Sequence, residues 1–361
     1  MVHIVFTLDY EIHGNGEGCP RQLMIEPTSR LLRLLDDHGA KLTIMADVAE
    51  ILQFRQYKLN HGHDTYHHDA IAAQLEGAVA SGHDVQLHIH PSYFEARPEP
   101  GRWLQHWAEY DFARLPFERM NWMVNHCKQY LETLLQAVDR NYACIAFRAA
   151  NWSVQPSPTV VRVLIANGLR IDSSIFKHGR RHGLVEFDYS HAHSDMIPWL
   201  VNPHDMCRHA ADGSLWEVPI YCEQRYIGAF LTPARLRRVI SGWRHKLERN
   251  GVVESSVDTP VQTSRARRRF SRLLTRHAWK ADFNQCSAGQ LIDALERARQ
   301  RHDPDESRQV PFVMIGHSKL FDRQNESTVR RILAHASRYP QRYGYCALSN
   351  TPLQTANGVP P

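Results

Sequence analysis

The chain has 361 residues, of which 43% are hydrophobic and 22% charged, with a formal net charge of +5. That length suits one large barrel-type domain or two average ones, and the ordinary charged fraction excludes global disorder. Seven scattered cysteines with no CxxC pair exclude a zinc ribbon and a disulfide framework, and point to a reducing compartment.

In chain order, residues 2–8 form an apolar run that reads as a buried strand. No charged and then apolar leader precedes it, and no run nears the roughly 20 apolar residues that span a bilayer, so a cytoplasmic protein is expected. The strand leads into Asp9-Tyr10-Glu11 and a glycine-rich loop, 14–18. That loop lacks the GK[ST] of a phosphate-binding loop and reads as the rim of a pocket. A helix over 27–38 has Pro27 in its first turn and Gly39 as its stop. A strand over 41–46 and a further helix follow, then a histidine-rich loop over 60–68.

Residues 70–80 read as a helix ended by Gly82, and 85–90 as a strand stopped by Pro91. An aromatic loop to about 114 precedes a long amphipathic helix over 117–138. Further strands are expected over 143–147, 169–175, 216–221, 312–316 and 345–348. Helices are expected from 157 and 287 and over 326–337, the one at Ser287 opening with a capping-box pattern. Strands alternating with helices predict parallel pairing through crossover helices, in a barrel or a doubly wound sheet, with chemistry at the carboxyl ends of the strands.

Polar residues gather at those ends. His88 and His90 stand at i and i+2 of one strand, so both imidazoles face one side and can converge on one ion. Imidazole nitrogen and carboxylate oxygen suit a divalent metal ion, Zn2+ first, in a site that leaves a position for water. Asp9 and Glu11 share the same spacing. Two such carboxylates repel unless a cation lies between them or one takes a proton, which suggests one ligand and one general base. Arg148 would hold a carboxylate ionised, His317 would donate a proton to a leaving amine, and Asp172 would orient that imidazole. Each strand-end residue taken singly also reads as a helix cap or a loop hydrogen bond. Trp103, Trp107 and Trp152 are candidate stacking surfaces for a ligand, and His61, His63, His67 and His68 read as solvent-facing.

An insert over 251–281 breaks the α/β pattern. Within it, 265–280 interleaves six arginines and one lysine with Phe270, Leu273, Leu274 and Trp279. As an amphipathic helix it would pack its apolar side on the barrel. It would otherwise lie on an anionic membrane surface, or bind the phosphates of a nucleotide sugar or lipid-linked sugar. No nucleic-acid motif accompanies it.

Five segments in order resemble the polysaccharide deacetylase (NodB-homology, carbohydrate esterase 4-like) family: Phe6-Thr7-Leu8-Asp9-Tyr10-Glu11, Gly82-His83-Asp84-Val85-Gln86-Leu87-His88, Phe147-Arg148-Ala149-Ala150-Asn151-Trp152, Ile171-Asp172-Ser173-Ser174 and Met314-Ile315-Gly316-His317. The resemblance implies a distorted (β/α)7-type barrel over 1–350 with a tail over 351–361. It also implies a divalent metal, an aspartate base and a histidine acid in N-deacetylation of an N-acetylated sugar. On that basis Asp9 is taken as base and Glu11 as ligand, with the exchange of these two the alternative, His88 and His90 as ligands, and Asn151 and Trp152 as substrate contacts. Two departures stand out. Tyr10 separates carboxylates that are adjacent in the common form, and Ser92 stands where the common HxxxH has its second histidine, leaving His90 to substitute. The absence of a leader favours a cytoplasmic precursor of surface polysaccharide. Hydrolysis of a ureide or formyl C–N bond, a two-histidine, one-carboxylate iron oxygenase and a non-catalytic sugar-binding barrel are the alternatives.

Overall fold

Nine residues, Val2–Tyr10, form strand β1, and all but one are buried. A strand without an exposed face must be covered on both sides, as the central strands of α/β folds are. The structure, a computed structural model, describes residues 1–232, 235 and 275–353. β2 (Leu42–Asp47) and β3 (Asp84–Ile89) are buried along their whole length. Between β1 and β3 run α1 (Glu26–Asp36), α2 (Val48–His61) and α3 (His68–Ala80). A hairpin of β4 (Arg97–Glu99) and β5 (Arg102–Leu104) precedes α4 (Phe117–Leu135) and β6 (Ala146–Ala149). Next come α5 (Ser157–Ala166), β7 (Ile171–Asp172) and a second hairpin, β8 (Arg180–Arg181) with β9 (Phe187–Asp188). β10 (Trp199–Asn202), β11 (Asp205–His209), β12 (Trp216–Glu217) and β13 (Cys222–Tyr226) follow. The described chain resumes with β14 (Arg276–Lys280), α6 (Ala288–His302), β15 (Val310–His317), α7 (Arg323–Ser337) and β16 (Tyr343–Tyr345).

The main sheet runs β11-β10-β12-β7-β6-β3-β2-β1-β15, with β16 also on β1. Every pairing from β12 to β15 is parallel, as the alternation predicts, and only the pairings of β10, with β12 and with β11, are antiparallel. Past β12, Ile220 bridges Val313 of β15, and the Tyr221 N–H donates to the Val313 carbonyl. The sheet thereby closes. β1, β2, β3, β6, β7, the stretch 216–221 and β15 wall a distorted (β/α)7-type barrel, with α1–α7 outside. Parallel pairing brings all the carboxyl ends to one rim.

Three expectations change. The end of the basic segment is a strand: β14 pairs antiparallel with β13, and Trp279 is buried beneath the Arg225 guanidinium. An open strand edge for the backbone and a covered slot for Trp279 outweigh helical amphipathicity there. The rest of the insert, 251–274, and the tail from 354 lie outside the described residues. The strand expected over 169–175 shrinks to two residues, because the Ser173 and Ser174 side chains turn to Arg148 and Asp172. Finally, Trp103 is core: it is buried against Phe54, Tyr57 and Tyr66. Among the described residues no helix is long and apolar enough to cross a membrane.

Candidate active site

The register of the sheet assembles the rim. Asp9 of β1 lies level with His317 of β15, Asp47 of β2 with His88 of β3, and His88 with Arg148 of β6. Side chains level across parallel strands share a face. Tyr10, between the two carboxylates, points the other way and donates to Gln74 of α3. The intervening tyrosine therefore leaves Asp9 and Glu11 together inside.

Glu11, His88 and His90 form a buried triad with their ligand-type atoms within 4.8 Å of one another. Glu11 Oε2 lies 3.6 Å from His88 Nε2 and 3.3 Å from His90 Nδ1. That oxygen is sealed from solvent and accepts no hydrogen bond. The Nδ1 of His88 is 2.8 Å from the Arg148 carbonyl oxygen, which fixes the ring and leaves Nε2 facing the carboxylate. An orphaned buried oxygen between two imidazoles is a costly arrangement that a cation relieves. The donor set, two imidazoles and a carboxylate, fits a divalent ion. Burial pushes Glu11 up, but Lys319, His90 and His88 outweigh it and hold the carboxyl well below its usual range. Burial opposes charge on His88, yet the Glu11 carboxylate 3.6 Å from its Nε2, with the Asp9 and Asp47 charges, raises it to about 9.

Asp9 belongs to a second group beside the triad. The wholly buried Arg148 donates from Nη1 to Asp9 Oδ1 at 2.7 Å and from Nε to the Ser173 carbonyl at 2.8 Å. His317 Nε2 lies 3.5 Å from Asp9 Oδ2 and 4.0 Å from Glu11 Oε1. Against the cost of burial, Arg148, His317 and His88 keep Asp9 below its usual range. Burial lowers His317 despite Asp9 and Glu11, so its imidazole is neutral at neutral pH.

Asp172 does not orient His317. It accepts from the Ser174 backbone and hydroxyl and is paired with Glu217. Burial and the neighbouring Asp172 carboxyl push Glu217 well above its usual range. The cause is register: Asp172 is level with Glu217 of the adjacent β12 and faces it. His317 Nδ1 has no hydrogen-bond partner among the described residues. Asp282, near enough to favour the charged ring, is turned instead to Asn284 and Gln285.

Asn151 and Trp152 both adopt left-handed backbone, φ 55° and 59°. Such conformations are strained for residues with side chains and recur at functional loops. Asn151 Oδ1 accepts from Tyr110 and Arg181, while its Nδ2 is buried without an acceptor among the described residues. Trp152 meets His317 edge to face, with ring centres 5.9 Å apart. One face of its ring carries Lys280 Nζ at 3.2 Å, so that face is not open for sugar stacking. Trp107 is exposed against Tyr110. Ser92, at the departed motif position, is buried on Gln105. His63 and His68 bond to Thr65 and Tyr130.

Sequence reading missed Asp47, Glu50, Lys319 and Lys280. Burial, Asp47 and Glu11 push Glu50 well above its usual range, and it accepts from the Ile12 N–H. Lys319 Nζ lies 3.1 Å from Glu11 Oε1. Burial brings Lys280 down to about 8. Asp47 and Glu50, at a strand end and in the next helical turn, resemble ordinary capping residues, and Lys280 is hidden among arginines.

No family model and no curated protein matches the sequence. Solved structures do match. A 4-alpha-glucanotransferase from Thermococcus litoralis is 11% identical over 97% of this chain and 40% of its own, with a TM-score of 0.51. PuuE allantoinase is 12% identical over 97% and 88%, at 0.48. A family 4 carbohydrate esterase from Streptomyces lividans, in complex with acetate, is 10% identical over 95% and 91%, at 0.41. At these identities the likeness is one of fold.

Proposed function

We propose that the chain is a zinc-dependent amide hydrolase that removes the acetyl group from an N-acetylated sugar. The observation that carries this reading is the buried triad of Glu11, His88 and His90 lying directly against the Asp9, Arg148 and His317 group. The ordered motifs of the deacetylase family fall on these same residues and support it.

Glu11, His88 and His90 would hold the ion, and Ser92 has no part in it. When bound, the ion supplies Lewis acidity to the amide carbonyl and to the attacking water. Asp9 takes the proton of that water. Arg148 keeps Asp9 ionised and aimed, so this base is poised by geometry rather than by a raised pKa. His317, neutral at rest and 3.5 Å from Asp9, receives the proton and delivers it to the departing nitrogen. Asp172 serves the wall: with Glu217 it braces the loop that carries Ser173 and Ser174 against Arg148. Asn151 Nδ2 offers an unused donor to the sugar, and Trp152 sets the tilt of His317.

We place the substrate among cytoplasmic precursors of surface polysaccharide, nucleotide- or lipid-linked. Lys280 supports a substrate that carries phosphate, since its Nζ lies over the Trp152 ring beside His317. Membrane contact through 265–280 would have to come from residues outside the described part, because 276–280 is strand.

Metal content beside acetate release is the test. Near-stoichiometric zinc in the native protein, lost in His88→Ala and in His90→Ala, together with acetate release from N-acetylated sugars abolished by Asp9→Asn, is the expected result. A native protein that takes up no divalent ion, or an Asp9→Asn variant as active as the parent, overturns it.

A further inference from the structure

Asp47 ends β2 and occupies the N-cap of α2, where an aspartate ordinarily accepts a first-turn backbone N–H. Its side chain makes no capping bond. The carboxylate is turned across the rim to one residue: Oδ2 lies 2.8 Å from His90 Nδ1, and Oδ1 accepts from the His90 backbone N–H at 3.1 Å. Asp47 is wholly buried and adds a third carboxylate to a pocket that already holds Glu11 and Glu50. A side chain that leaves its own helix uncapped and crowds two other acids is held there by what it does for His90.

Asp47 is not a member of the mutually close ligand set, so it acts through His90 rather than on an ion directly. The partner of one imidazole nitrogen decides where the ring proton sits. His90 Nδ1 faces two carboxylates, Asp47 at 2.8 Å and Glu11 Oε2 at 3.3 Å. Only Asp47 also grips the backbone of the same residue, so its hold fixes ring and main chain together.

We propose that Asp47 is the positioning residue of the cation site: its two oxygens hold the ring and the backbone of His90 together and set the angle at which that imidazole meets Glu11 and His88. This explains how a histidine two residues after His88 can stand in for one four residues after it. The i, i+2 spacing puts His90 on the side of His88, and Asp47 fixes the ring there. The inference rests on the metal-site reading above.

Zinc affinity measured by competition with a chromophoric chelator, on the full chain and on Asp47→Asn and Asp47→Ala, tests it. Asp47→Asn places an amide N–H₂ opposite one of two His90 donors, and Asp47→Ala removes the acceptor. Both should weaken zinc binding by roughly 10- to 100-fold. Unchanged zinc affinity in both variants overturns the proposal. A native chain that binds no zinc removes the metal-site reading instead, which is a distinct outcome. Should neither variant fold, nitrogen-15 NMR of the zinc-loaded native chain decides: a His90 ring proton held in a hydrogen bond is expected, and its absence overturns the proposal.

Discussion

Single side chains at the rim carry opposed demands, and their ionisation exposes them. His88 is raised to about 9 from an ordinary 6.5. A raised histidine stabilises the fold fully below its unfolded value and loses that contribution as pH climbs through the folded one. Metal-free protein should therefore lose stability between about pH 6.5 and about 9, and urea titrations across that range will measure the loss. A ligating histidine must give up this proton, so zinc binding should weaken about tenfold per pH unit below the His88 value. A chelator titration that shows pH-independent affinity would contradict this. Arg148 is the other exposed dependency. Arg148→Met strands Asp9 in the interior without its cation and should cost about 3–5 kcal/mol. Adding Asp9→Leu should return much of that loss, and the double-mutant cycle by denaturant unfolding measures how much. The i, i+2 pairs Asp9/Glu11 and His88/His90 are legible in the sequence because strand geometry fixes their face locally. Asp47 is not, because a lone strand-end aspartate before a helix reads as a cap until its partner 43 residues later is seen beside it.

Secondary-structure elements were legible in proportion to how local their determinants are. α6 begins where Ser287 and Gln290 announce it, with both bonds of the capping box formed. Ser287→Ala should cost about 1 kcal/mol of stability and leave activity unchanged, checked by thermal melting and acetate release. The glycine-rich loop after β1 has a stricter requirement. Gly16 has φ 79°, and a Cβ there would fall 2.1 Å from the Trp103 carbonyl oxygen. Gly16→Ala should therefore destabilise more than Ser287→Ala and displace the β4/β5 hairpin, which a melt beside the Ser287 variant will show. β14 escaped detection because its identity depends on β13, a partner more than 40 residues earlier in the chain. Arginine spacing suggested a helix, whereas a free sheet edge and a slot for Trp279 required a strand. Asp172 was misassigned for a similar reason: the Asp-Ser-Ser run is local, but register with β12 chooses Glu217 as its partner.

For the whole molecule, the barrel brings to one rim groups from 9 to 319 in sequence, so occupancy of the candidate cation site would report on the entire fold. A ligand that binds only the folded chain stabilises it by about 2.7 kcal/mol at a hundredfold excess over Kd. Added zinc should raise the melting midpoint of the native chain and leave that of His88→Ala unmoved. Equal shifts in both would place the zinc elsewhere. Closure of the ring also depends on a short seam along β15, bridged from Ile220 to Val313 and from Asp282 to Ile315. It lies beside β13, which joins the wall to Lys280 through β14.

By itself, the sequence determined the alternating elements, the parallel sheet and the strand ends at which chemistry would collect. Apolar period, caps and i, i+2 spacing act over a few residues and are written in the chain directly. The tertiary structure decided the partners: that Arg148 holds Asp9, that Asp172 serves Glu217 rather than His317, and that Asp47 leaves its helix for His90. It also decided that the basic segment ends as a strand. Those choices depend on which strand lies next to which and at what register, and register is set by packing across the whole barrel rather than by neighbours in sequence.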